Sequence, residues 1–141
     1  MKATLVPGLT HELRYRVPEG KTVPHVYPES DLFRAMPAVF ATAYMVGLVE
    51  WACMEAMRPH LDDGEQSVGT DVRVSHTGAT PPGLTVRVRV KVEKVEGRRI
   101  SFSVAADDGV EPIGEGMHER HVIDPERFGK KVAQKAKAAA A

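Results

Sequence analysis

Glu50 stands in the middle of the longest apolar run of the chain, Ala38 to Arg58, AVFATAYMVGLVEWACMEAMR. A carboxylate is rarely left among apolar neighbours without a task. Desolvation raises its pKa and strengthens it as a base or nucleophile, and a nearby donor or cation keeps it ionised. The other reading is a buried glutamate whose hydrogen bonds hold a dimer together. Thr42, in the same run, either donates its hydroxyl to a reacting group or caps and back-bonds its own helix. His76 lies at a strand end, just before the Pro81-Pro82 break. An imidazole facing a cleft there is a general acid or base, and one facing water is a plain surface residue. Arg98, Arg99 and Arg120 are phosphate or carbonyl binders, or simply solvated charge.

Several chemistries are excluded by type and spacing. His118 and His121 are three apart in a strand, so they face opposite ways and form no local metal pair. With one cysteine, Cys53, and no histidine pair on a helix, no metal site is expected. Gly114-Glu115-Gly116 lacks the third glycine and the following helix of a dinucleotide loop. The single cysteine excludes an internal disulfide and fits a reducing compartment. Nineteen basic residues balance nineteen acidic ones and aromatics are 6%, so the body carries no footprint for nucleic acid. The last seventeen positions are the exception, with Arg127, Lys130, Lys131, Lys135 and Lys137 against Glu126 alone. No basic-then-apolar leader opens the chain, and Thr42, Gly47 and Glu50 interrupt the apolar run too often for a membrane span. A cytoplasmic protein with neither nucleic acid nor membrane as partner is expected.

The elements that must position these groups follow from periodicity. Pro37 suits a first helical turn and Pro59 closes the far end, so Ala38 to Arg58 is expected as one helix, buried on most sides. On one continuous helix, Thr42 and Glu50 are separated by roughly 12 Å along the axis and about 80° around it. They cannot touch. A joint role requires a substrate spanning the gap, a bend near Thr42, or a meeting across a dimer interface. Ahead of the helix, Leu9 to Val17 alternates as a partly exposed strand, and Lys21 to Met36 is a long connection with one helical turn after Ser30. Such a connection often serves as a lid or binding loop. Behind it, strands are expected over Ser67–Thr77, Leu84–Val92, Ile100–Ala106 and Val110–Ile123. Gly114 and Gly116 mark a bulge or a close backbone approach in the last of these. From Pro125 a helix frays into alanines. A single domain over residues 1–129 with a basic, alanine-rich tail over 130–141 is thus an α+β chain. Its antiparallel sheet is best satisfied by curling around the helix, and its edge strand favours a dimer.

Five segments together carry a specific resemblance: YPES at Tyr27–Ser30, MVGLVEWAC at Met45–Cys53, HTGATPPG at His76–Gly83, VEGRR at Val95–Arg99 and IGEGMHER at Ile113–Arg120. In this order and spacing the chain resembles the fluoroacetyl-CoA thioesterases over roughly residues 9 to 129. The resemblance implies a homodimeric hot-dog fold, a curved antiparallel sheet around a central helix. It implies hydrolysis of a short acyl-CoA thioester with neither metal nor cofactor, CoA being part of the substrate. Thr42, Glu50 and His76 match the family's catalytic threonine, glutamate and histidine, and Gly69 and Arg120 match positions lining the acyl pocket. Glu50 then attacks the thioester carbonyl or activates water, Thr42 orients the reacting group, His76 handles protons, and a backbone amide at the helix start stabilises the oxyanion. The family carries a phenylalanine lid just before the helix where this chain has Met36, although Phe33 remains. Weaker preference for the fluorinated acyl group is the expected consequence. The competing readings are a broader short-chain acyl-CoA thioesterase and a hot-dog protein that binds acyl-CoA without turnover.

Overall fold

The computed structural model describes residues 1–140. Five strands form one antiparallel sheet: β1 (Thr10–Arg16), β2 (Gln66–Val74), β3 (Thr85–Glu96), β4 (Arg99–Asp107) and β5 (Pro112–Ile123), in the order β1-β3-β4-β5-β2. The alternation of β3 buries Val86, Val88, Val90 and Val92 on one face, and β4 adds Ile100, Phe102 and Val104 to it. Gly97, at φ +61°, makes the tight turn between these two strands, a conformation that other residues adopt only under strain.

That apolar face packs on the long helix α2 (Thr42–Met57), which buries Met45, Leu48, Val49, Ala52, Cys53, Ala56 and Met57. The stripe repeats every three to four residues, the period of one helix face. The α+β architecture expected from the sequence is therefore what forms, with two corrections. The helix starts at Thr42, four residues later than Ala38, and Pro59 falls in a 3₁₀ turn (Arg58–His60) that follows it. Pro37 lies outside the helix, because the backbone that follows it is recruited elsewhere: Phe40 pairs with Thr22, the Phe40 amide donates to the Thr80 carbonyl at 2.8 Å, and the Ala41 amide donates to the Lys21 carbonyl at 3.1 Å. Nor is α2 covered on most sides. Gly47 and Met54 are exposed on the face away from the sheet, and Trp51 is half exposed at its flank, its ring edge-to-face with Tyr15 of β1 at 6.3 Å between centroids.

The connection before α2 holds one short helix, α1 (Asp31–Arg34), where the Ser30 hydroxyl accepts from the Phe33 amide as a helix cap. After β5, α3 (Pro125–Ala140) runs out from the sheet with no buried residue, beginning inside the span assigned to the domain body. No helix among the described residues is long and apolar enough to cross a membrane.

Candidate active site

Two clusters form, one at each end of the Thr42–Glu50 interval. At the start of α2 the Thr42 hydroxyl lies 2.7 Å from His76 Nδ1. The backbone on either side of His76 holds it there: the Ser75 amide donates to the Glu115 carbonyl at 2.9 Å and the Thr77 amide to the Ile113 carbonyl at 2.7 Å. This pairing needs Gly114 and Gly116, since a Cβ on either would stand 2.2 Å from the Ser75 carbonyl oxygen or 1.8 Å from that of Arg73. The close approach expected at these glycines is what aims the imidazole. Burial lowers the His76 pKa, with the Gly78 backbone opposing, so the ring is neutral at neutral pH. Its Nε2 is buried and has no hydrogen-bond partner among the described residues. A buried ring nitrogen left open is costly unless a ligand or a partner chain completes it. No side chain caps α2, so the first-turn amides beside Thr42 are open as well.

The second cluster is centred on Arg120, which is only 3% exposed. Its Nε donates to Ser67 Oγ and its Nη2 to the Ser67 carbonyl, both at 2.8 Å. Nη1 donates to Glu50 Oε2 at 3.0 Å and to His118 Nε2 at 3.1 Å. His118 in turn donates from Nδ1 to the Asp71 carbonyl at 2.8 Å, which assigns its one ring proton to Nδ1. Burial, then the Arg120 charge, push the His118 pKa down against the pull of that carbonyl, and the ring is neutral. Four of the five N–H donors of the guanidinium are thus occupied, and the fork holds one oxygen of Glu50 in place.

Glu50 itself departs from expectation. Its side chain is 40% exposed, not buried, and the buried charge of the pair is the arginine. The apolar neighbours on the far side of α2 face outwards and do not enclose it. Glu50 Oε1 takes no hydrogen bond among the described residues. It faces a recess of about 360 Å³ lined by Val46, Gly69, Val72 and His118 among others, large enough for a small acyl group and part of its thioester arm. Gly69 makes the room. A bulge between Gly69 and Asp71 sets it opposite Arg120, and a Cβ there would stand 3.0 Å from Glu50 Oε2 and 3.2 Å from His118 Cε1. Gly69→Ala should therefore lower kcat by about tenfold or more by displacing the carboxylate, while melting within a few degrees of the natural protein, since Glu50 and His118 need give way by only a few tenths of an ångström. Steady-state kinetics alongside thermal melting check both halves.

The residues singled out from sequence are thus brought together in two groups. Thr42 joins His76, and Glu50 joins Gly69 and Arg120. Phe33 and Met36 stand apart from both on the α1 segment, Met36 about half exposed and Phe33 packed on Tyr27 with ring centroids 5.4 Å apart. Two participants were missed, His118 and Ser67. Strand periodicity carried the signal for the first: His118, Arg120 and Val122 are two apart and share the inner face. Cys53, beneath this cluster, is no rival nucleophile, because burial pushes its thiol up to about 12, the Glu50 charge adding to this and that of Arg120 opposing it.

A five-stranded antiparallel sheet laid on one long helix, with polar groups at the helix start and middle, is the hot-dog fold. A hot-dog-like protein from Thermanaerovibrio acidaminovorans matches it with a TM-score of 0.77 at 26% identity, covering 92% of this chain and 91% of that one. A family model described as fluoroacetyl-CoA-specific thioesterase matches residues 21–126. A fluoroacetyl-CoA thioesterase of Streptantibioticus cattleyicolor is 57% identical over 126 residues, 89% of each chain. A solved structure of a fluoroacetyl-CoA-specific thioesterase, a phenylalanine-to-alanine variant in complex with fluoroacetate and CoA, gives a TM-score of 0.86 at 54% identity over 88% of this chain and 99% of that one. The chain belongs to the fluoroacetyl-CoA-specific thioesterase family.

Proposed function

We propose that this protein is a homodimer that hydrolyses fluoroacetyl-CoA to fluoroacetate and CoA, conferring resistance to fluoroacetate. One observation carries the reading of the site: a carboxylate with one oxygen clamped by a buried arginine and the other open to an acyl-sized recess. Glu50 Oε1 either attacks the thioester carbonyl or takes the proton of an attacking water. The carbonyl oxygen, as it becomes an oxyanion, is stabilised by the open amides of the first turn of α2. Thr42 orients the reacting group, and neutral His76 moves protons, including those of the acidic α-carbon. The CoA thiolate leaves, taking up a proton; on the route where Glu50 attacks, water then cleaves the acyl anhydride on Glu50, releasing fluoroacetate and restoring the carboxylate. No step calls on a metal or on any cofactor beyond the CoA that arrives as substrate.

The dimer is proposed because one chain leaves its site in two halves. Along α2 the halves are eight residues apart and cannot meet. The face bearing Gly47 and Met54 is open, and Gly47 has nothing within 4 Å of where its Cβ would be, so another backbone can approach closely. Two α2 helices crossing antiparallel about a two-fold axis at Val46, midway between Thr42 and Glu50, set Thr42 of one copy opposite Glu50 of the other. Each dimer then holds two composite sites, and the second copy covers the apolar face.

Titration of free thiol after mixing with excess fluoroacetyl-CoA tests the activity. Many equivalents of thiol per chain are expected, whereas a protein that only sequesters acyl-CoA releases at most one. Selectivity is tested separately. Met36 stands where the resemblance places a phenylalanine, and a flexible thioether seals a dry pocket less rigidly than a phenyl ring. Met36→Phe should raise the kcat/KM ratio of fluoroacetyl-CoA over acetyl-CoA by roughly three- to tenfold, a modest effect because a pocket contact distinguishes such small groups weakly. Equal or greater selectivity in the natural protein would refute this.

A further inference from the structure

The first turns of α3 and the outer face of the sheet enclose a groove of about 560 Å³ that adjoins the acyl recess at Thr70. It lies behind the Glu50 cluster. In β2, Gly69 faces Glu50, while its neighbours Val68 and Thr70 line the groove. In β5, Arg120 and Val122 are buried on the inner face and His121 turns outwards into the groove. One strand therefore has the reacting carboxylate on one side and this groove on the other. Its remaining walls are Arg98, Ile123, Asp124, Arg127, Phe128 and Lys131.

The chemistry of these walls is that of a phosphorylated nucleotide. Phe128 is 41% exposed and offers a ring face for a base to stack on. Arg127 and Lys131 form no ion pair among the described residues and are free to meet phosphate. Arg98 is already aimed, its Nε donating to the Val122 carbonyl at 3.2 Å and its Nη2 to Glu65 at 2.8 Å. The one acid on the walls, Asp124, has Oδ1 occupied by the Glu126 amide, which it caps. The volume suits a single nucleotide. The family match ends at Glu126, ahead of Arg127, Phe128 and Lys131, so nothing in it assigns them a role.

We infer that this groove holds the 3′-phosphorylated ADP end of the CoA thioester, with the adenine on Phe128 and the phosphates on Arg127, Lys131 and Arg98. The inference rests on the proposed thioesterase activity for the identity of the ligand. Thr70, on the edge strand β2, lines both the groove and the Glu50 recess, so the long, flexible pantetheine arm joins the nucleotide to the thioester around that edge. The basic tail is then part of substrate binding, which draws an acidic substrate towards a body that is itself net acidic.

Two measurements test it. Adenosine 3′,5′-bisphosphate is titrated calorimetrically into the natural protein, an Arg127→Ala/Lys131→Ala double variant and Phe128→Ala. All three side chains sit on exposed positions of α3, so folding is not at stake. Salt-sensitive binding by the natural protein is expected, weakened about tenfold or more in the double variant. In the second, the double variant should raise KM for fluoroacetyl-CoA about fivefold or more with kcat unchanged, and leave fluoroacetyl-pantetheine, which lacks the nucleotide, unaffected. Bisphosphate binding that is absent, or equal in natural protein and double variant, overturns the inference, as does an equal loss on both thioesters. The calorimetric arm needs no turnover. Variant-sensitive binding without thiol release supports the groove and removes the hydrolase, and normal turnover with a groove-independent KM does the reverse.

Discussion

Glu50→Gln should lower kcat on fluoroacetyl-CoA by about a thousandfold or more while leaving a folded protein that still binds acyl-CoA. The amide keeps the shape of the carboxylate and still accepts from Arg120 Nη1, so the recess and its wall survive. It loses the one property the chemistry needs, a basic oxygen at Oε1. Stability should fall only slightly, by about 1 kcal/mol, because the Glu50 end of the ion pair is 40% exposed and Arg120 retains Ser67 and His118. Thermal melting and stopped thiol assays on the same preparation separate the two effects. Near-normal kcat in this variant would leave Glu50 as a structural anchor for the arginine, the second reading its sequence setting allowed. Cys53 cannot rescue the reaction from beneath, with its thiol pushed up to about 12 in a fully buried position.

What the sequence made legible divides along physical lines. The strand from Leu84 stands out because one face is buried and the other wet, so Val86 to Val92 alternate with Thr, Arg and Lys in the chain itself. The first residue of α2 does not stand out. Ala38 to Ala41 are compatible with a helix, and what makes them extended is their hydrogen bonding to Lys21 and Thr80, contacts made at a distance in sequence. Arg120 was accessible in principle, since Val122 two residues on declares the inner face. Read from its residue type alone it stayed either a binder or solvated charge, and only the resemblance set it beside the acyl pocket; a buried fork with four filled bonds is the exception to the tendency of arginine to stay in water. The expected burial of Glu50 failed for another reason. An all-round apolar helix shows that something covers each face, but not whether the cover is the same chain or a second copy.

That ambiguity gives the second large prediction, for a mixed dimer. If Thr42 and His76 of one copy work on the Glu50 of the other, a Thr42→Ala/His76→Ala variant and a Glu50→Gln variant are each inactive alone but complement when co-expressed. In a mixed dimer, one composite site carries all the substitutions and the other carries none. Random assortment makes half the dimers mixed, each with one intact site of two, so activity should return to about a quarter of the natural level. If each chain instead assembles its own site, both kinds of site remain damaged in every dimer and no activity returns. Tagging the two variants differently and purifying the doubly tagged species should raise the figure to about half, which separates true complementation from contaminating natural enzyme. The geometry favours the first outcome, because eight residues of unbroken helix hold Thr42 and Glu50 apart within one chain. The same argument accounts for His76 Nε2, which is buried and unpartnered until something across the open face of α2 reaches it.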